Sequence, residues 1–396
     1  MKLRQHLYLA ILVVTIFSCN EELEDEDSYT RILDDQTYEN AYEPIAIAET
    51  FDGGAIVLAA VASDPESYPR VSVLKVDELG NWERINTLPD PYVSPASGMG
   101  RLDSTFYFFC MDENNYRTYM VSVNQQGDIL NQVPAGGSPT FPLASFADSL
   151  SNELLLLSYD AENKRSVVTR HAPDANQTGG AAYTIGEGSD ADPLVLAHFA
   201  QRRSRLPFSI GRAANGSYYF NGLFNFSFSL VFTSFGDNPT GVIQGQGTSG
   251  GISAILPLNT GNYAAAGYQF EQNFIRPDVP LTETGISSSI DLLDRDQAEL
   301  RSNSRIKMTT YTLDQQNFMV CAGETESREI VLYVYDAEGQ LIDSKYIGNI
   351  NSFNLGDIVV TADNSLLVLG STFVAGRFER LFVQKISEIQ MKDLIN

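Results

Sequence analysis

The chain has 396 residues, with 26 Lys plus Arg against 50 Asp plus Glu, a formal net charge of −24, three Cys, three His and one Trp. A chain this acidic repels a phosphate backbone, which excludes nucleic-acid binding driven by counterion release. With 43% hydrophobic residues, 22 Phe and 19 Tyr, there is ample material for a core, so global disorder is excluded too, and the balance favours strands over helices.

At the N-terminus, Lys2 and Arg4 precede an apolar run from Leu7 to Phe17. That run is shorter than the roughly 20 residues a spanning helix needs, so residues 1–18 read as a secretory signal peptide. Ile16-Phe17-Ser18-Cys19 resembles a bacterial lipobox, which implies that Cys19 is lipidated on its thiol and becomes the mature N-terminus. Glu21-Glu22-Leu23-Glu24-Asp25-Glu26-Asp27 follows, and such a charge run stays solvated, so residues 19–27 read as an acidic tether. A Cys followed by acids resembles the surface-export signal of Bacteroidetes lipoproteins. That resemblance implies an outer-membrane protein facing the cell exterior.

From residue 28 onward the chain repeats itself. Thr50-Phe51-Asp52-Gly53-Gly54-Ala55-Ile56-Val57 sets a pattern of apolar run, Asp or Asn with small polar residues, and a second apolar run. It recurs at Asp103, Asp148, Asn215, Asn259, Asp314 and Asp363, at intervals averaging about 52 residues, close to one four-stranded propeller blade. A Gly follows the second run in the last four copies, at Gly222, Gly267, Gly323 and Gly370. A second signal lies in Asp77-Glu78-Leu79-Gly80, Asn124-Gln125-Gln126-Gly127 and Asp336-Ala337-Glu338-Gly339. There Asp or Asn opens a turn by bonding its own backbone and Gly accepts the left-handed conformation that ends it.

Each repeat therefore reads as strand, short Asp turn, strand, longer loop, strand, Asp-x-x-Gly turn, strand. In the first repeat the strands are expected at Ile45–Thr50, Ala55–Val61, Val71–Val76 and Trp82–Asn86. The fifth repeat is blurred over 273–304, where Ser288–Leu300 reads either as a short helix with Ser288 and Asp291 as a capping box or as a poor strand. The seventh has no convincing fourth strand, and Ser28–Leu33 is spare. Residues 28–396 are thus expected to form one all-β, seven-bladed β-propeller of four-stranded antiparallel blades, closed by this N-terminal strand. Cys110 and Cys321 fall on second strands three steps apart round such a ring, beyond disulfide reach.

The Thr-x-Asp-Gly-Gly repeat coupled to the Asp-x-x-Gly turn resembles the β-propeller lipoproteins of the Bacteroidetes type. The resemblance covers nearly all of the mature chain and is specific for fold, not for activity. Trp-Asp dipeptides, the tryptophan docking motif and a paired-glycine kelch pattern beyond Gly53-Gly54 are missing.

Chemistry is harder to find. His171 and His198 alone remain after processing, too few for a His-based metal or haem site, so no cofactor or metal is expected. No P-loop occurs, and no GxSxG or GxGxxG run stands between an expected strand and an expected helix, as a nucleophile elbow or dinucleotide fingerprint requires. Asp190, Asp192, Asp291, Asp294 and Asp296 lack EF-hand spacing and read as solvated acids. Arg70, Arg117, Arg165, Arg328 and Arg380 each stand just before a third strand, on the longer-loop face. They would form a discontinuous basic rim able to grip an anion through bidentate contacts, unless each pairs with an acid of its own loop, such as Glu66, Glu113, Glu162, Glu326 or Glu379. The long segments 188–207, with Arg202, Arg203 and Arg205, and 271–283, with Phe274 and Arg276, form a second candidate surface.

Two readings follow. In the first, the protein is a lipid-anchored, monomeric, non-enzymatic module that binds a glycan, peptide or partner protein. In the second, it is an exported glycoside hydrolase or lyase with its site at the propeller's top face, where two carboxyls about 5 to 10 Å apart would be required.

Overall fold

The computed structural model describes residues 27–35, 40–62, 67–200, 206–293, 297–348, 350–376 and 378–396. The expected signal peptide, Cys19, Arg202, Arg203 and Arg205 lie outside the described residues, as does the expected tether apart from Asp27. Just over half of the described residues lie in strands, and the rest is mostly turn and loop. After β1 (Tyr29–Leu33), the first repeat folds as β2 (Ala41–Glu49), β3 (Ala55–Ala62), β4 (Arg70–Val76) and β5 (Trp82–Thr87). A short β6 (Tyr92–Val93) leads to β7 (Gly100–Leu102), β8 (Thr105–Asp112), β9 (Thr118–Val123) and β10 (Ile129–Pro134). Next come β11 (Pro142–Asp148), β12 (Glu153–Asp160), β13 (Arg165–His171) and β14 (Gln177–Thr184), then helix α1 (Ala191–Ala200).

The second half opens with β15 (Ser209–Arg212), β16 (Tyr218–Phe224), β17 (Ser227–Thr233) and β18 (Gly241–Gln244). These are followed by β19 (Gly250–Pro257), β20 (Tyr263–Gln269), β21 (Gln272–Val279) and β22 (Gly285–Ser288). The last strands are β23 (Ile306–Leu313), β24 (Gln316–Glu324), β25 (Ile330–Tyr335), β26 (Leu341–Ile347), β27 (Phe353–Val360), β28 (Leu366–Phe373) and β29 (Glu379–Ile386), and helix α2 (Glu388–Ile395) ends the chain.

Within each repeat the strands pair antiparallel in chain order, as in β11-β12-β13-β14 and β23-β24-β25-β26. The first two repeats share one hydrogen-bonded sheet because β6 bridges β4 and β8. No sheet among the described residues closes on itself. Second and third strands are apolar on both faces, as β3 and β25 are throughout, because each sheet is covered by a neighbour on either side.

The turns have the expected chemistry. Asp77 Oδ1 accepts from the N–H groups of Leu79 and Asn81 at 3.0 and 2.7 Å, Asp336 does the same for Glu338 and Gln340, and Gly80, Gly127 and Gly339 all have φ between 75° and 79°. The recurring Gly, expected after the second strand, lies inside it, in β16, β20, β24 and β28, and close approach explains it most clearly in β20 and β28. A Cβ on Gly370 would stand 2.4 Å from the carbonyl of Asn354 and from the Phe382 ring, and on Gly267 it would meet Gly251 and Phe274 as closely.

The spare N-terminal strand pairs with the last one. β1 runs antiparallel to β29, with Tyr29 opposite Lys385 and Leu33 opposite Leu381, giving the order β1-β29-β28-β27. Neighbouring repeats are also stitched by side chains, including first to last. Glu49 at the end of β2 accepts the Ala362 N–H at 3.0 and 2.9 Å, and Asp357 on β27 accepts the Ile47 N–H at 3.3 Å.

Three elements depart from expectation. The fifth repeat has three antiparallel strands, and β22, which follows them, pairs parallel with β18 of the fourth repeat instead. The capping box is present, with Ser288 and Asp291 closing a 3-10 turn over Ser289–Leu292, so strand and helix both occur in this stretch. Segment 188–207 contains α1, whose Ala191, Val195, His198 and Phe199 are buried, and the C-terminus is helical, with Ser387 as N-cap and Met391 buried. Cys110 and Cys321 sit on second strands as free, buried thiols, pushed above the ordinary thiol range by burial.

Candidate functional site

First strands of five repeats converge, joined by the segment before β7 of another. A cavity of about 460 Å³ is lined by Glu43 and Ile45 of β2, Ser97 before β7, Ser209 of β15, Ser253 of β19, Ile306 of β23 and Gly356 of β27. Its wall is richest in polar groups where the chain enters β23, at Arg301, Ser302, Asn303, Arg305 and Lys307, while Tyr219 and Tyr268 face them from second strands. The cavity therefore opens at the longer-loop end of the sheets, opposite the Asp turns.

Each cation lining this mouth among the described residues is held by a carboxylate from another strand. Arg305 donates to Glu43 Oε1 at 2.9 Å, Arg301 donates to Glu324 Oε2, and Lys307 Nζ lies 3.4 Å from Asp357 Oδ1. Glu324 Oε1 also accepts the Leu355 N–H at 2.8 Å, which fixes it between β24 and β27. Burial works against the Arg305 charge, but Glu43 and Glu324 outweigh it and raise its pKa above the ordinary arginine value. Burial pushes the Tyr268 hydroxyl up to about 12 and raises Tyr219 too, so both stay neutral donors at any physiological pH.

Among the described residues lining the cavity, Glu43 is the single acid. The wall can donate hydrogen bonds from guanidinium, ammonium and hydroxyl groups to a polar or anionic ligand. The described lining residues supply one carboxyl, Glu43, of the pair that most glycoside hydrolases use. The histidines are elsewhere: His171 contacts Thr169 Oγ1 at 2.8 Å and is lowered by burial, and His198 packs edge-on to Phe208. The described residues contain no cluster of three His, Cys, Asp or Glu able to hold a metal.

The arginines singled out from the sequence stand at the starts of third strands but have different surroundings. Arg70 is exposed at the head of β4, and Arg117 is half-buried just before β9. Arg165 Nε lies 3.9 Å from Asp160, and Arg328, exposed, reaches Ser352 Oγ at 3.5 Å. Arg380 is completely buried: Nε donates to Asp34 at 2.9 Å, Nη1 to the Asn40 carbonyl at 2.6 Å, and Nη2 lies 3.6 Å from Asp35. Its charge is spent holding the segment after β1, and it takes no part in an exposed rim. The expected loop at 271–283 is mostly strand β21, with Phe274 buried and Arg276 reaching the Leu292 carbonyl at 3.5 Å.

The mouth residues Arg301, Arg305 and Lys307 were not singled out from the sequence. Their signal was present in Arg301-Ser302-Asn303-Ser304-Arg305-Ile306-Lys307, three cations in seven residues leading into a first strand.

No family model matches the chain, and no curated protein matches it. Solved structures do. The β-propeller domain of the Trilobed protease from Pyrococcus furiosus is 10% identical, with a TM-score of 0.48, over 89% of this chain and 96% of that one. A protein from Lactobacillus plantarum is 11% identical, with a TM-score of 0.46 and the same coverage. The core factor of S. cerevisiae is 11% identical, with a TM-score of 0.49, over 91% of this chain and 61% of that one. Likenesses at this level carry neither an activity nor a ligand across.

Proposed function

We propose that the sheets are the seven blades of one closed β-propeller, with β1 as the outer strand of the last blade, and that this propeller binds a glycan at its cavity mouth without transforming it. The protein would be an exported lipoprotein of the Bacteroidetes type, anchored in the outer membrane through Cys19 and facing the cell exterior. Closure is supported by the first-to-last contacts of Glu49 and Asp357 and by first strands from five repeats, with Ser97 of the second repeat, lining one cavity.

One observation carries the binding reading. The mouth is a preformed concavity of about 460 Å³, within the range of small-ligand sites, whose wall offers Tyr, Ser, Arg and Lys donors and one acid already paired with Arg305. Sugar hydroxyls and acidic sugar groups are acceptors for such donors, whereas hydrolysis needs a second carboxyl.

The test is an oligosaccharide panel, neutral and acidic, presented to the Cys19→Ala chain, with products followed in parallel. Retention is expected, with the sugar recovered intact. Lys307→Ala and Tyr268→Ala should each weaken it about tenfold or more, as loss of a buried or charged hydrogen bond does. Failure to retain any glycan would overturn the reading, and release of shortened products would favour the hydrolase or lyase instead.

A further inference from the structure

The described chain enters the fold on the face opposite the cavity mouth. Tyr29, the first residue of β1, pairs with Lys385 near the end of β29, and its ring packs against Gly80 in the Asp77 turn. Lys385 in turn holds Asp363 of the turn between β27 and β28 at 2.7 Å. Ser28 therefore stands among the Asp turns, one strand length from the mouth.

Reach then decides orientation. From Cys19 to Ser28 is nine residues, which span at most about 30 Å when fully extended. A strand such as β28, with eight residues, is itself about 27 Å tall. A lipid at Cys19 could bring the mouth to a bilayer only if the whole tether ran flat along the side of a blade, leaving nothing to clear the loops.

The turn face is also suited to contact. Phe51, Leu79 and Leu150 project from three turns on this side with relative exposures of 67%, 51% and 81%. Three acids of these turns are paired with cations of the same face, Asp52 with Lys75 at 3.0 Å, Asp148 with Arg212 at 2.7 Å and Asp128 with Arg84, while Asp77 beside Leu79 is held by the Leu79 and Asn81 N–H groups. Apolar tips can enter a headgroup layer, and the three ion pairs reduce the repulsion that the net charge alone would produce.

From this placement we infer that the turn face lies against the phospholipid surface and that the cavity mouth points away from the membrane. The inference rests on the anchoring of Cys19 in the proposed function. It assigns the ligand site to the solvent side, open to large polymers.

The test uses the full lipidated chain in phosphatidylethanolamine–phosphatidylglycerol vesicles that carry a headgroup energy-transfer acceptor. A donor dye is placed at Ser104→Cys on a turn or at Asn303→Cys at the mouth, both exposed positions. Transfer from Ser104→Cys should exceed that from Asn303→Cys by about twofold or more, given a height difference of one strand. Equal transfer, or more from Asn303→Cys, would overturn the orientation while leaving the anchor intact. In the Cys19→Ala background both signals should vanish; persistence there would refute the anchor, and the orientation argument with it.

Discussion

Replacing Arg380 by Met should unlock the N-terminal strand. Arg380 has no exposed surface and makes hydrogen bonds of 2.9 Å to Asp34 and 2.6 Å to the Asn40 carbonyl, with Asp35 at 3.6 Å and the Tyr42 ring 5.8 Å away. Met keeps much of the volume but leaves two carboxylates facing a site without its cation. Breaking one side of a buried pair costs about 3 to 5 kcal/mol. The Asp34 side chain is 27% exposed and can rehydrate, so a loss of about 3 kcal/mol in urea-induced unfolding is expected. Hydrogen exchange of the β1 amides should accelerate more than that of β23 to β25. A loss below about 0.5 kcal/mol, or unchanged β1 protection, would refute the view that Arg380 fastens the strand.

Other outcomes follow from the same contacts. Gly370→Ala should cost about 1 to 3 kcal/mol by overpacking against Asn354 and Phe382, while Gly222→Ala, whose nearest neighbour stands at 3.3 Å, should cost less; paired urea titrations decide it. In the Cys19→Ala chain, a thiol reagent should leave Cys110 and Cys321 unmodified until denaturant is added, and rapid native labelling would contradict their burial. Asp363 is depressed well below the carboxylate range; burial opposes its charge, but hydrogen bonds from Lys385, Thr361 and the Ser365 N–H outweigh it. A depressed pKa contributes stability that is present above the unfolded value and lost as pH falls below about 4. Asp363→Asn should therefore flatten the acid limb of stability against pH, by under about 1 kcal/mol since the side chain is half exposed. An unchanged acid limb would remove Asp363 from the account.

Much of the fold was legible because its signals are local. The Asp turns, the left-handed Gly residues and the doubly apolar second and third strands are written in runs of fewer than ten residues, and all appear where the spacing placed them. The pairing partner of β29 was legible by subtraction, since the last repeat lacked a strand and Ser28–Leu33 was spare. Helices α1 and α2 were missed because tertiary burial of a few residues, Val195 and Phe199 in one and Met391 in the other, outweighs weak helical patterning. The displacement of β22 onto β18 was hidden for the same reason, as strand choice there is settled by an edge several dozen residues away.

The candidate site was less legible. Reading loops led to the third-strand arginines, one of which is buried and structural, whereas the mouth is built by residues on first strands and just before them. Glu43 and Arg305 are 262 positions apart and meet only because the first and sixth repeats share a cavity. Convergence of that kind depends on how the sheets are arranged about an axis, and no local pattern encodes it.

A crystal structure of the Cys19→Ala chain tests the central claim most directly. The account predicts seven radial sheets around one cavity, β1 hydrogen-bonded to β29 with Tyr29 opposite Lys385, and the first and last repeats in contact through Glu49 and Ala362. An open arc with Glu49 and Ala362 apart, or β1 detached from β29, would contradict it.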